Sequence, residues 1–119
     1  MIVKSLRNMP GFQAGDGSFL KELLHPAKEP LGIGYSLAHA VVEPGHKTLP
    51  HRLESAEVYC ILRGNGLMRI DGETAEVGAG QAVYIPPRAV QSIENIGEDE
   101  LAFFCIVDPA WRAEDEQVL

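Results

Sequence analysis

The sequence has no long hydrophobic run and few basic residues. No apolar stretch approaches the roughly 18 residues that a membrane-spanning helix needs, and the N-terminus lacks the apolar region typical of a secretory signal. Seventeen Asp and Glu against ten Lys and Arg give a formal charge of −7. This charge argues against nucleic acid and membrane surfaces as partners, because both attract clustered basic residues.

Cysteine is also scarce. The two cysteines lie in apolar stretches, at residues 58–61 and 103–106. Two cysteines make a poor disulfide framework, and their apolar neighbours favour buried, reduced thiols. Since a reducing compartment is compatible with such thiols, we expect a cytoplasmic protein.

Short apolar segments separated by Gly, Pro and Asp turns follow one another along the chain. They predict strands over residues 18–25, 35–42, 58–62, 67–70, 73–77, 81–85, 90–96 and 101–107. The first of these also fits a short helical stripe, but its neighbours are strands. Asp71 and Gly72 predict a tight hairpin, because both central residues of a type I′ turn need positive φ. Many short, regularly spaced strands indicate an antiparallel β-sandwich or barrel.

The chain has no linker and no internal repeat, and its 119 residues are enough to bury one core. We therefore expect one domain over residues 1–119, with an N-terminal arm at 1–17 and a barrel core at about 30–108. Asp108 followed by Pro109 is typical of a helix N-cap with proline at N1. This pair predicts a short acidic helix over about residues 109–117.

Two stretches carry most of the side chains capable of chemistry. Residues 44–66 contain His51 and Glu57 between a Pro-Gly turn and a Gly-Asn-Gly turn, and residues 80–95 contain Gln91. Together they resemble the two signature motifs of the cupin superfamily. The matching positions are Gly45, His51, Glu57, Gly64, Gly80, Pro86 and Asn95. The resemblance implies an all-β jelly-roll barrel, or double-stranded β-helix, over about residues 30–108.

The resemblance fails at three motif positions. Leu53 stands where the first motif has a second histidine, Arg88 replaces a glycine of the second motif, and Gln91 replaces its histidine. Carried over residue by residue, the resemblance implies a diminished metal site formed by His51, Glu57 and Gln91. Such a set suits Fe, Mn, Ni or Zn with modest affinity. A cavity without any metal is the alternative.

Each of these residues also has a purely structural explanation. His51 fits a solvent-facing turn, Glu57 fits an ion pair, and Gln91 fits an amide that positions water or substrate. His39 could replace the missing histidine ligand from the preceding strand. We expect it to point outward, because the alternate positions of that strand carry small residues that suit a cavity.

Tyr59 shares a strand face with Glu57, and Tyr84 lies in the second motif, so both are candidate catalytic proton donors. One hypothesis is a metal-dependent isomerase, lyase or dioxygenase that acts on a small molecule. Another is a non-catalytic cupin that binds or senses a small ligand without metal.

A third hypothesis is the cyclising lyase ectoine synthase. The start of the chain, residues 57–61, Gly64 and Gly66 are similar to that enzyme. We disfavour this activity because Gln91 stands where the enzyme has a histidine ligand.

The barrel is expected to close around a core of Tyr59, Ile61, Met68, Ile70 and Val83. Strand 101–107 is apolar on both faces, and alternate residues of strand 58–62 face away from the predicted cavity. Because one short helix cannot cover these surfaces, we expect a homodimer.

Overall fold

A computed structural model describes all residues from 1 to 119, and eleven strands make up most of its regular structure. The strands are β1 (Phe12–Gln13), β2 (Phe19–Leu24), β3 (Ser36–Val42), β4 (His51–Leu53), β5 (Ala56–Arg63), β6 (Asn65–Ile70), β7 (Glu73–Gly78), β8 (Ala82–Ile85), β9 (Gln91–Asn95), β10 (Leu101–Asp108) and β11 (Glu116–Val118). The only helical segments are 3-10 turns, and neither could cross a membrane.

The strands form two antiparallel sheets. One has six strands in the order β1-β2-β3-β10-β5-β8, and the other has five in the order β11-β4-β9-β6-β7. Six of the nine neighbouring pairs, such as β3-β10 and β4-β11, join strands that are not consecutive in the chain, as in a jelly roll. The predicted all-β jelly-roll barrel is therefore confirmed, and the ambiguous segment 18–25 forms a strand.

Tight turns join the strands where glycine was expected. Asp71 and Gly72 have φ of 47° and 87° and connect β6 to β7 in the predicted hairpin. Gly64, between β5 and β6, has φ of 88°, and a Cβ there would lie 2.6 Å from the carbonyl oxygen of Glu100. Any side chain at this position would be strained and would clash with backbone.

The core lies between the sheets and contains Ala40, Val42, Tyr59, Ile61, Met68, Ile85, Ala89, Ile93, Leu101, Phe103 and Cys105. Ile70 and Val83 pack against it while partly exposed, so the predicted core is confirmed. Alternate residues of β3, β5 and β10 supply its six-stranded wall, as the two-residue period of a strand requires. Both cysteines are free thiols.

The predicted C-terminal helix is wrong. β10 continues to Asp108, and the following segment contains only a 3-10 turn at Ala113–Asp115 before it becomes β11. β11 pairs with β4, with Glu116 opposite Leu53. A helix this short would be marginal alone, whereas ladder hydrogen bonds to β4 are available at the sheet edge. The pairing brings Glu116 to the end of the barrel.

The N-terminal arm follows the surface of the barrel. Residues 2–6 form no strand, and a 3-10 turn at Leu6–Asn8 is held by the Lys21 ammonium, which donates to the carbonyl oxygen of Leu6 at 2.9 Å. After β1 the chain turns back, and the Asp16 carbonyl oxygen accepts a hydrogen bond from the Leu49 amide. This contact fixes Asp16 beside the start of β4.

Candidate functional site

A cavity of about 200 Å³ lies at one end of the barrel, where β3 and β5 begin and β10 ends. The inner faces of these strands form one wall, and β4, β11 and the segment around Asp16 form the other. Apolar residues make up about half of the lining. The polar side chains of interest are Asp16, His51, Glu57, Tyr59 and Glu116.

His51 is held in one orientation on β4. Its side chain is only 3% exposed, and Nδ1 donates a hydrogen bond to the Leu49 carbonyl oxygen at 2.7 Å. In neutral His51 this bond places the proton on Nδ1 and leaves a lone pair on Nε2. Nε2 lies 3.5 Å from Asp16 Oδ2, and the other oxygen of Asp16 is held by the Ser18 amide and hydroxyl. His51 is therefore not a solvent-facing turn histidine.

Glu57, Gln91 and Tyr59 form a buried hydrogen-bonded chain. The Tyr59 hydroxyl donates to Gln91 Oε1 at 2.9 Å, and Gln91 Nε2 donates to Glu57 Oε1 at 2.8 Å. Because an amide oxygen can only accept and its nitrogen can only donate, the two bonds fix the orientation of the Gln91 amide. Glu57 forms no ion pair, so the explanation of Glu57 as part of a structural ion pair does not hold either.

Burial determines the protonation of this chain. It raises the pKa of Glu57 to about 8; the hydrogen bond from Gln91 lowers the value, while Asp16 and Glu116 raise it. Burial also raises the pKa of Tyr59 well above its ordinary value, and the charge of Glu57 raises it further. At neutral pH Glu57 is thus mostly a neutral acid. Oε1 accepts from Gln91, which leaves Oε2 as the oxygen free to carry the proton into the cavity.

The three predicted metal ligands come together, but most of their donor atoms are already engaged. Gln91 uses its oxygen for Tyr59 and is not part of the cavity wall. His51 Nε2 and Glu57 Oε2 are free of hydrogen bonds, and Glu57 favours its neutral form. No group of three or more His, Cys, Asp and Glu side chains is placed to hold a metal ion. As arranged, only His51 and Glu57 of the predicted set offer a donor atom that is free of hydrogen bonds.

The remaining motif positions fall into place around the cavity. Leu53 lines it, as expected from the motif. Arg88 has φ of 65°, the left-handed conformation that explains why the motif has glycine there, and its amide donates to the Leu53 carbonyl oxygen at 2.7 Å. His39 points outward, as predicted, with its ring edge-on to Phe104. It does not replace the missing histidine.

Tyr84 does not belong to the site. It is 62% exposed, because it pairs with Val58 on the outer face of the six-stranded sheet. Its selection as a candidate proton donor was therefore wrong. Only Tyr59 of the two candidate tyrosines reaches the cavity.

Asp16 and Glu116 were missed by sequence reasoning, and both lie outside the motifs. Asp16 sits between two glycines in a segment that has only a turn signal. Glu116 lay within the predicted helix. A strand there would have placed Glu116 and Val118 on one face, so alternation could have identified Glu116, whereas nothing local indicates the approach of Asp16 to His51.

Comparison with known proteins agrees with this fold. A cupin domain family model matches residues 38–107. An uncharacterized protein of Methanocaldococcus jannaschii is 46% identical over 105 residues, which are 87% of this chain and 83% of that protein. A dimethylsulfoniopropionate lyase of Ruegeria pomeroyi is 49% identical over 43 residues, which are 36% of this chain and 28% of the lyase.

Among solved structures, a predicted oxalate decarboxylase of Thermotoga maritima has a TM-score of 0.79 over 92% of this chain and 99% of that chain. Its sequence identity is 21%, so it shows the fold alone. The family model covers more than half of the chain and the archaeal relative matches nearly all of it. The chain belongs to the cupin superfamily.

Proposed function

We propose that this cupin is an enzyme that transfers protons on a small molecule bound in the cavity, as an isomerase or a lyase does. One observation carries the proposal: the Glu57 carboxyl is buried at the cavity wall with its pKa raised to about 8, close to neutral pH. Carboxyl groups tuned in this way are suited to general acid–base catalysis.

His51 and Glu57 would take complementary roles. The unprotonated Nε2 of His51 would remove a proton from the substrate, and Glu57 Oε2 would deliver its proton to the rearranging or leaving group. The carboxylate left on Glu57 would keep its hydrogen bond from Gln91 Nε2. Both proton transfers would then be complete, and solvent exchange would restore the starting protonation after product release.

Gln91 and Tyr59 would be positioning residues in this scheme. Gln91 holds Glu57, and the Tyr59 hydroxyl fixes the Gln91 amide. Tyr59 is a poor proton donor because burial raises its pKa well above the ordinary value. The lyase option is supported by the similarity to dimethylsulfoniopropionate lyase, which is limited to 43 residues.

The test is proton exchange into small molecules. Wild-type protein, Glu57→Gln and the exposed-site control Glu76→Gln are incubated in D₂O with a small-metabolite extract, and deuterium gain or conversion is followed by mass spectrometry. We expect wild type and Glu76→Gln to convert the same compound and Glu57→Gln to do so about 100-fold more slowly. Equal rates in Glu57→Gln would contradict the proposal, and no conversion by any protein would favour a non-catalytic ligand-binding cupin.

A second candidate function is metal-dependent chemistry, and His51 favours it. Its Nδ1–H is held by a backbone carbonyl while Nε2 is directed at the cavity, which is common for metal-binding histidines. Elemental analysis of protein purified without a chelating tag is the test. A stoichiometric ion that is lost in a folded His51→Ala variant would support this candidate, and a metal-free protein that takes up nothing on titration would exclude it.

We also propose that two chains associate through the outer face of the six-stranded sheet. Support comes from Tyr84 and Leu62, which are exposed there, and from Phe104 and Ile106, which no other element covers completely. Apolar surface of this kind is usual at protein interfaces. Sedimentation should give about twice the 13.0 kDa chain mass at micromolar concentration. Tyr84→Lys should shift the protein toward the monomer.

A further inference from the structure

The charges on the cavity wall indicate which kind of molecule fits it. Lys28 forms an ion pair with Glu22, so these two charges compensate each other. The carboxyl groups of Asp16, Glu57 and Glu116 are left, and the wall contains no arginine and no second lysine. An anionic ligand would therefore face carboxyl groups without a guanidinium or ammonium partner.

The three carboxyl groups influence one another. Burial raises the pKa of Glu116; His51 lowers it and Asp16 raises it. Asp16 and Glu116 likewise add to the effect of burial on Glu57. A positive charge placed in the cavity would stabilise the ionised form of each group.

Two polar atoms lie side by side in the cavity wall. His51 Nε2 and Asp16 Oδ2 are 3.5 Å apart, so a ring nitrogen lies beside a carboxyl oxygen. His51 is 3% exposed, and Glu57, 6% exposed, also directs a hydrogen-bond-free oxygen into the cavity. No buried side-chain nitrogen or oxygen lacks a partner, so these atoms are open to the cavity, and Asp16 Oδ2 can accept from an N–H donor of a ligand there.

The volume of the cavity and the rest of its wall determine the size and the apolar character of the ligand. About 200 Å³ is room for a molecule of about ten non-hydrogen atoms. The surfaces of Leu53, Phe103 and Trp111 are apolar and lie in the same wall. They favour a compact hydrocarbon skeleton with few polar groups.

We propose that the substrate class is the small organic ammonium compounds, with one protonated amine on a short apolar skeleton. The ammonium group faces Asp16 and Glu116 and donates to Asp16 Oδ2, and the skeleton lies against Leu53 and Phe103. This inference rests on the proposed function, because it names the substrate class of the same cavity.

The test compares three probes of similar shape and different charge at pH 7. Binding of cyclohexylammonium, cyclohexanol and cyclohexanecarboxylate is measured by protein-observed NMR with wild type, Asp16→Asn, Glu116→Gln and the surface control Glu76→Gln. We expect cyclohexylammonium to bind about tenfold more tightly than cyclohexanol, and the carboxylate not to bind. Asp16→Asn and Glu116→Gln should each weaken ammonium binding about fivefold and leave cyclohexanol unchanged.

Three other outcomes would overturn the inference. Carboxylate binding as tight as ammonium binding would do so, as would an ammonium preference that survives the double variant Asp16→Asn, Glu116→Gln. Failure of all three probes to bind at millimolar concentration would do so too. None of these results affects the role of Glu57, which depends on the conversion rate of Glu57→Gln. The two proposals can therefore fail separately.

Discussion

Two buried side-chain amides on β9, those of Gln91 and Asn95, have different kinds of hydrogen-bond partner. Asn95 lies at the closed end of the barrel, where its Nδ2 donates to the carbonyl oxygens of Val42 and Asp99 and its Oδ1 accepts from the Gly97 amide. Gln91, four residues earlier on the same inner face, bonds only to the side chains of Glu57 and Tyr59. One amide closes a turn, and the other holds an ionisable group beside a cavity.

This difference separates the two ends of the barrel. At the Asn95 end, Ile93 and Leu101 fill the interior and the polar atoms are satisfied by backbone. At the Gln91 end, the strands leave a cavity and side chains satisfy one another. Changes at the closed end should therefore alter stability, and changes at the cavity end should alter protonation and chemistry.

The largest effect is expected from Asn95→Ala. Three backbone groups would lose their partner, and the two carbonyl oxygens and one amide would stay partly buried. We expect a loss of about 3 kcal/mol in the free energy of unfolding, measured with denaturant. The exposed Asn8→Ala is the control and should change stability by less than about 0.5 kcal/mol. A loss below about 1 kcal/mol would show that Asn95 does not hold the closed end.

The second-largest effect is a pH dependence of stability that comes from Glu57. Its pKa is raised from 4.5 to about 8 in the folded protein, so between these values the unfolded chain releases a proton that the folded chain keeps. Stability from this group falls as pH rises, by about 2 kcal/mol between pH 6 and pH 8. Denaturant unfolding of wild type and Glu57→Gln between pH 6 and pH 8 isolates the contribution of Glu57 to stability. Parallel curves for the two proteins would contradict it.

The smallest effect on stability is expected from Gln91→Met, which keeps the shape of the side chain and removes both hydrogen bonds. We expect a loss of about 1 kcal/mol, because the Tyr59 hydroxyl loses its acceptor. The same change should raise the pKa of Glu57 further, since the bond from Gln91 lowers it. An unchanged Glu57 titration would remove Gln91 from its positioning role.

The contrast between the ends also explains what the sequence could predict. Strands, hairpin and core follow from alternation and turn residues, which act between near neighbours. The cupin motifs located His51 and Glu57, because motif spacing reflects position on strands. The position of Asp16 and the β11 pairing that carries Glu116 depend on contacts between distant segments. The engagement of Gln91 with Tyr59 depends on side-chain packing, which no local pattern encodes.

The protonation state of Glu57 is the central claim, and NMR tests it directly. The side-chain carboxyl carbons of glutamate are labelled with ¹³C, and their shifts are followed from pH 4 to pH 10 in wild type and in Glu57→Gln, whose missing signal assigns Glu57. We predict a titration midpoint near 8 for this signal in the folded protein. A midpoint between about 4 and 5, the ordinary range of a glutamate, would contradict the account.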